Sequence, residues 1–486
     1  MKRKISLLLL ISILTGLTAC GGNETPTETT VFSDTSNQSD ATETTLIGRL
    51  ADANYNGYEF NIFGENQSFS GDYFDVETET GDIIGDSVYR RNRTVEEKYN
   101  IELNFHTVDW QKGPETIRSL ILAGDNEYDL YTCTHLSLGS LMLENYFVDW
   151  KSVPGIDLSL PCYVKDANTT YSIGGVMPLL FGDFMETNSM RCWSFLFNKR
   201  LVEEYQLENP YTVVDEGRWT IDYLIKTARD IYSDLDGNST MDQNDMYAFV
   251  TDTLATLDGF TRGLGLSAIS KDKYNLPMLD FYKESTVTAY EKLYTLYYEC
   301  AGTYPSTENM THVENIFAEG RAVFASTRLD FVMKEAVRNM KDDYGVIPYP
   351  KLDESGEYAT YLSGTFSAQM IGVTQPEADR ERTGVITQAL NAYSHEYVIP
   401  SICEITLKTK TTRDDDSVRM MNLIFDSRQY SFDSIDENGF PFSPLRSVRS
   451  LLSSKSKDIA SYYAKNQNAA EEWVENIIET FTSASE

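Results

Sequence analysis

Two groups of residues in this chain have the types and spacing to do chemistry. From Asp234 to Asp245, oxygen-bearing residues recur as a hard cation needs them: Asp234, Asp236 and Asn238 at positions one, three and five, the Thr240 carbonyl at seven, Asp242 at nine and Asp245 at twelve. Four carboxylates packed this closely repel one another unless a cation sits among them, so the loop is a candidate calcium site. The alternative is a solvated acidic turn held by Asx hydrogen bonds. Ser239 stands where a Gly would take the sharp turn, and Asp245 is shorter than a bidentate Glu, so any site here is weak and structural. The second group is Arg191-Cys192-Trp193-Ser194-Phe195-Leu196-Phe197-Asn198-Lys199, a strand-length apolar run that empties into a helix. Arg191 and Trp193 stand at its mouth. A cation and a large flat ring opening a buried strand mark a ligand cleft there, against the plainer reading of an ordinary core strand. The chain has no H-E-x-x-H, G-x-S-x-G or G-x-x-x-x-G-K-[ST] and only four histidines, so nothing argues for catalysis and an enzyme is not expected.

The elements that must position these groups follow from hydrophobic periodicity. Tyr58, Phe60 and Ile62 alternate as one face of a strand; Val88, Val95 and Tyr99 recur as a helix; Ile101, Leu103, Phe105 and Thr107 alternate again. A helix through Ile117, Leu120 and Ile121 then leads to a strand at Tyr128 to Cys133. This strand–helix order predicts a parallel α/β sheet, and in such sheets ligands sit beyond the carboxyl ends of the strands. Thr132, Thr134 and His135 are thereby placed near a cleft, with a solvated loop histidine as the alternative for His135. Ile221, Leu224, Ile225, Ala228, Ile231 and Tyr232 predict another helix, capped by Thr220. Val287 to Tyr297 and Trp473 to Phe481 predict core-facing helices, with Glu319-Gly320 as a helix stop.

At 486 residues the chain exceeds what one core usually supports, so two lobes are expected. Its 74 acidic against 41 basic side chains leave −33, a balance that repels phosphate backbones and excludes nucleic acid as a natural partner. Lys2, Arg3 and Lys4 precede an apolar run from Ile5 to Ala19, the pattern of a secretory signal (1–19). Leu17-Thr18-Ala19-Cys20 looks like a bacterial lipobox, which implies cleavage before Cys20 and a lipid on its sulfur. Gly21 to about Thr45 is polar, lacks Lys and Arg, and reads as a disordered tether, with the folded part beginning near Asn56 (tether 20–55). Five further cysteines, at 133, 162, 192, 300 and 403, form no C-x-x-C pair; buried thiols are expected, and one or two disulfides are permitted outside the cytoplasm.

Taken together, the motifs resemble a known family. The acidic loop resembles the calcium loop of EF-hand and dockerin modules. Ala123-Gly124-Asp125 with Tyr128-Asp129-Leu130, Leu196-Phe197-Asn198-Lys199, Gly217-Arg218-Trp219-Thr220, Phe317-Ala318-Glu319-Gly320-Arg321-Ala322 and Gly345-Val346-Ile347-Pro348-Tyr349-Pro350-Lys351 follow the order seen in extracellular solute-binding proteins of ABC transporters, the family of maltose-binding protein. The resemblance implies an α/β fold of the type II periplasmic-binding-protein kind. Each lobe would be a mainly parallel sheet flanked by helices, with the chain crossing near Arg191, near Arg328 and at 432–440. Lobe 1 would then comprise 56–190 and 328–431, and lobe 2 would comprise 191–327 and 432–486. The implied function is capture of a small solute by cleft closure and delivery to an ABC permease, by a monomer. A sensory or adhesive lipoprotein and a secreted glycoside hydrolase are the alternatives. Contacts from both lobes are expected at Asp129 and His135, at Arg191 and Trp193, and at Asp252 and Arg328. Carbohydrate is the favoured solute because 31 Tyr, 23 Phe and 5 Trp can face sugar C–H groups while acids and amides take hydroxyls. The arginine at position 191 leaves a carboxylate or phosphate open, and a peptide also remains open.

Overall fold

The alternation at Tyr58, Phe60 and Ile62 builds the middle of a first sheet, with Phe60, Ile62 and the neighbouring Phe63 all buried. The computed structural model describes residues 45–66, 75–185, 187–333, 335–362, 367–408, 415–443 and 445–483; the signal at 1–19, Cys20 and most of the tether lie outside them. Its strands in chain order are β1 (Tyr58–Asn66), β2 (Ile101–Asp109), β3 (Leu130–Thr134), β4 (Trp193–Asn198), β5 (Tyr232–Ser233), β6 (Met246–Asp252), β7 (Ile269–Lys271), β8 (Pro277–Leu279), β9 (Thr303–Ser306), β10 (Ala322–Arg328), β11 (Tyr344–Ile347), β12 (Thr360–Tyr361), β13 (Ser367–Met370) and β14 (Arg428–Gln429).

The first sheet has the order β13-β3-β1-β2. β1 runs parallel to β2 and β3, and β13 closes the edge antiparallel to β3. All five residues of β3 are buried, as expected of a strand covered on both faces. The helix Ile83–Tyr99 carries Val88, Val95 and Tyr99 on its buried face and ends at Asn100, which takes a left-handed conformation. The chain is packed well before Asn56: Leu46 and Leu50 are buried in this lobe's core and Arg49 pairs with Asp157 at 2.7 Å, so the tether does not extend as far as residue 55.

The second sheet has the order β11-β4-β10-β6-β5, with β9 also pairing β6. It is mixed rather than mainly parallel: β10–β6 and β6–β9 are parallel, while β4 opposes both β10 and β11, and β5 opposes β6. The reason is the route of the chain. β4 starts at the first crossing and runs away from it, whereas β6 and β10 run toward that edge. β4 is buried throughout, Phe195 stacking on Phe249 at 5.2 Å and meeting Tyr349 edge-on at 4.7 Å. Gly259 is required here, because a Cβ at that position would strike the Tyr349 ring. Asn198 ends β4 and caps the helix Lys199–Glu204 by accepting from the Leu201 N–H; Thr220 caps Ile221–Asp230 the same way through the Tyr223 N–H. That helix stops short of the expected Tyr232, which instead opens β5.

The crossings lie differently from expectation after the first. Beyond Arg328 the chain touches the first lobe only briefly through Leu329–Met333 and returns as β11, so lobe 2 continues past residue 328. It rejoins the first sheet between Leu362 and Ser367. The helix Ile399–Lys408 packs on the first lobe and the next, Asp415–Asp426, on β11, so the return precedes 432–440. The hinge is tied across segments by the β12–β14 pair, by a Cys192–Leu362 bridge and by Arg428, whose guanidinium donates to the Asn188 carbonyl at 3.0 Å. The C-terminal helix Ile459–Ser483 seats Trp473 on Phe440 and stacks Phe481 on Phe147. The cysteines at 133, 162, 192, 300 and 403 are free thiols, four of them buried.

Candidate functional site

Strand direction decides which of the expected residues meet. The carboxyl end of β3 delivers Thr134 and His135; the carboxyl ends of β6 and β10 deliver Asp252 and Arg328; the amino end of β4 delivers Trp193 just after Arg191. These five, His135, Arg191, Trp193, Asp252 and Arg328, therefore lie on the edges where the lobes are joined. Asp129 does not. It precedes β3 and so sits at the opposite end of that sheet, five rises or about 16 Å from Thr134. There it accepts from the Tyr58 hydroxyl and the Asn61 N–H, both at 2.9 Å, and pairs with Arg382, whose guanidinium lies 3.7 Å over the Tyr58 ring. Asp129 is a clamp in the first lobe's base, a correction to its expected place in the cleft.

His135 opens the helix His135–Leu143 and is wholly buried, which overturns the solvated-loop alternative. Its Nε2 lies 3.4 Å from the Ser434 hydroxyl and its ring centroid 6.2 Å from that of Tyr171. Tyr171 in turn donates to the Ser431 carbonyl at 2.9 Å. The segment 431–434 thus closes over the end of β3. Arg191 is buried as well. Trp193 faces Arg328 across the β4–β10 pair, with the guanidinium carbon 5.9 Å from the ring centroid, and Arg328 grips Asp330 with two hydrogen bonds of 3.0 and 2.7 Å. The Trp193 Nε1 is buried with no hydrogen-bond partner among the described residues.

Asp252 is fully buried: its Oδ1 accepts from the Leu254 and Thr256 N–H groups and the Thr256 hydroxyl, and its Oδ2 has no partner among the described residues. Burial raises its carboxyl above the ordinary range against the pull of these bonds. Beside it lies an acid-rich group not foreseen from the sequence. Asp258 and Arg449 form a bidentate pair, with Nε donating to Oδ1 at 2.9 Å. Arg262 stands 3.7 Å from Asp433, whose Oδ2 also accepts from the Ala268 N–H. Glu437 is pushed up to about 7, first by burial and then by the Asp258 charge, against the pull of Arg449. The Tyr361 phenol is also driven well up by burial, with Glu437 and Asp258 adding to the shift. Asp258 follows β6 by six residues and its partner lies 191 residues on, so only tertiary structure joins them. The one local signal was Ser431-Phe432-Asp433-Ser434, polar groups around an aromatic near an expected crossing.

The acidic loop lies apart, after the helix Ile221–Asp230. Carboxylate oxygens of Asp234, Asp236 and Asp245 come within 4.8 Å of one another. Ser239 adopts φ +61°, taking the sharp turn without a glycine, and its N–H donates to Asp234 at 2.9 Å. The Asn238 amide donates to both Asp236 and Asp242, and the Thr240 N–H donates to the Asn238 oxygen at 2.6 Å. Backbone N–H groups at Ser239 and Asn244 hold Asp234 and Asp242 below the usual carboxylate range. Buried Asp245 accepts from the Tyr232 hydroxyl and the Leu235 N–H. The donor set fits a hard cation through three converging carboxylates, while Asx bonds already satisfy much of the loop.

No protein-family model matches the chain, and no curated protein matches it in sequence. Its structure has clear counterparts. The binding protein for cyclic α-maltosyl-1,6-maltose from Arthrobacter globiformis superposes with a TM-score of 0.57 at 14% identity, over 87% of this chain and 99% of that one. The GacH receptor of Streptomyces glaucescens, known with acarbose bound, gives 0.55 at 12% identity over 87% and 98%. An ABC-transporter solute-binding protein from Agrobacterium radiobacter K84 in complex with ribitol gives 0.51 at 13% identity over 86% and 99%. The chain has the periplasmic-binding-protein-like fold of ABC-transporter solute-binding proteins, a mixed α/β architecture with two sheet cores. These neighbours are binding proteins rather than enzymes.

Proposed function

We propose that this protein captures a small solute, a carbohydrate before other classes, between its two lobes and delivers it to an ABC permease. The observation that carries the reading is the placement of polar groups from both sheets on the hinge edge: His135 at the end of β3 beside Ser434, and Trp193, Asp252 and Arg328 at the ends of three strands of the second sheet. Buried polar atoms without partners among the described residues, Trp193 Nε1 and Asp252 Oδ2, offer one donor and one acceptor, the mixture a polyhydroxylated solute needs. The carbohydrates bound by the structural neighbours support the same class.

The proposal includes an anchor and a metal. Lipid on Cys20 would hold the protein outside the cytoplasmic membrane within reach of its permease, and no helix among the described residues is long and apolar enough to cross a membrane. Asp234, Asp236 and Asp245 would hold a weak structural calcium, with Asn238, Thr240 and Asp242 completing the loop. The deciding experiment is a thermal-shift screen of the purified chain against saccharide, polyol, peptide and organic-acid panels, with calorimetry on each hit. A saccharide that raises the melting temperature and compacts the protein in small-angle scattering is the expected result. Stabilisation by peptides or organic acids alone would overturn the carbohydrate assignment.

A further inference from the structure

The β7–β8 hairpin makes polar contacts with the other lobe that the hinge does not require. It belongs to the second lobe: the Asp280 N–H donates to Ala268, the C-terminal helix packs on β8, and Phe281 stacks on Phe442 at 4.4 Å. Its tip faces the turn at 169–176, which belongs to the first lobe through the Val164 N–H to Phe181 and the Asn168 side chain to Phe181. Across this seam the Gly174 N–H donates to the Asn275 carbonyl at 3.1 Å and the Asn275 amide donates to the Ser172 carbonyl at 3.0 Å. The Lys271 ammonium donates to the Thr169 carbonyl at 3.1 Å and also to the Ser172 carbonyl.

Both sides are preformed. Asp272 accepts from the Tyr274 and Leu276 N–H groups and holds Asn275 at φ +63°; opposite, Gly174 and Gly175 adopt φ +56° and +95°, which turns the carbonyls and the Gly174 N–H toward the hairpin. The bonds are to main-chain groups, exposed at Thr169 and Gly174 and buried at Ser172, which water can satisfy once the seam parts, so parting them costs less than parting an apolar seam. Around the same junction Tyr171 adds an aromatic contact with Phe432 and a hydrogen bond from its hydroxyl to the Ser431 carbonyl at 2.9 Å, both made by a buried side chain rather than at the hairpin.

We propose that the β7–β8 hairpin is a latch that sets the equilibrium between closed and open lobes, through Asn275 and Lys271, without either residue touching the solute. The proposal rests on the cleft-closure reading, and its test needs no solute. The probe is the solute-free full chain and its Asn275→Asp, Lys271→Met double variant, in which an acceptor faces the Ser172 carbonyl and the ammonium is gone. Native-state hydrogen exchange should show the Gly174 amide protected in the wild type and exchanging at least about tenfold faster in the double variant, with amides of β1 and β6 unchanged. Scattering should show a larger radius of gyration for the variant. A Gly174 amide that is unprotected in the wild type, or equally protected in both proteins, overturns the latch. Equal loss of protection in β1 and β6 also overturns it, since the hairpin would then be supporting a lobe. A working latch in a protein that no solute stabilises would leave the latch standing and remove the solute-capture reading.

Discussion

Asp129 gives the sharpest test of how the site is oriented, because an acid beside a strand looks like a ligand contact in the sequence and a clamp in the structure. The carboxylate is 5% exposed and takes two hydrogen bonds of 2.9 Å, from the Tyr58 hydroxyl and the Asn61 N–H. A hydrogen bond to a charged partner contributes about 1.5–3 kcal/mol. The Arg382 contact is long, 3.5 Å, with that side chain 17% exposed, so it adds little once solvent screening is allowed for. Burial raises the Asp129 carboxyl despite these bonds, so part of their contribution offsets desolvation. The net expectation for Asp129→Ala is a loss of about 3 kcal/mol in urea unfolding, and for Tyr58→Phe about 1 kcal/mol. Solute affinity, measured by calorimetry with a hit from the saccharide screen, should stay within about twofold in both variants, since a change of about 1.4 kcal/mol is needed for tenfold. Unchanged stability with lost binding in Asp129→Ala would refute the reasoning and return the residue to the cleft.

Trp193→Ala empties a buried site and should cost about 3–5 kcal/mol, whereas Trp193→Phe keeps the packing and removes the Nε1 donor; an affinity loss in the Phe variant identifies that N–H as a solute contact, and unchanged affinity removes it. Glu437 is pushed up to about 7 in the fold, so its protonated form is the favoured one: its contribution to stability is full below the ordinary carboxylate range and disappears as the pH rises through about 7. Glu437→Gln should flatten that slope in urea midpoints between about pH 5 and 8, and an unchanged slope would count against the shift. With a Kd of ~10⁻⁴ M, millimolar calcium should add roughly 1.4 kcal/mol and raise melting by a degree or two, a response that Asp234→Ala abolishes; chelator-insensitive melting and no binding heat would leave the loop an acidic turn. Cys20→Ser should release the protein from membranes or leave its precursor unprocessed, and fully processed membrane-bound variant would contradict lipid anchoring.

What could be read from the sequence was local. Alternation placed β1 and β2, 3.6-residue spacing placed the helix behind them, and the cap at Thr220 fell where a hydroxyl precedes an apolar stripe. The run at 193–198 is a strand emptying into a helix because Asn198 can both end the ladder and cap the helix Lys199–Glu204. Asp129 was misplaced even though chain direction alone assigns it to the amino end of β3. The crossings were harder. Arg328 does end a strand at the hinge edge, but whether the chain leaves the lobe there depends on β11 finding β4, a pairing between segments about 150 residues apart with no local signature. Asp258 and Arg449 are hidden for the same reason, one in a helix of mostly buried residues and the other in a π-turn at Leu445–Arg449.

If solute binds at the hinge edge as proposed, the antiparallel placement of β4 would couple binding to motion at close range. In an all-parallel lobe, a crossover strand would enter on the side away from the ligand and the hinge would be separated from the cleft by the length of the sheet. Here β4 begins on the edge where β6 and β10 end, so Arg191 and Trp193 belong to the covalent crossing and to the polar wall at once. Asp252 and Arg328 hold that wall rigidly, one through Thr256 and Leu254, the other through Asp330. The crossing itself is tied to the other hinge segments by main-chain bridges and by Arg428. On the proposed reading, a solute held at Trp193 would bear directly on the segment that turns when the lobes close, so its differential affinity for the closed form would act at the hinge without an intervening relay.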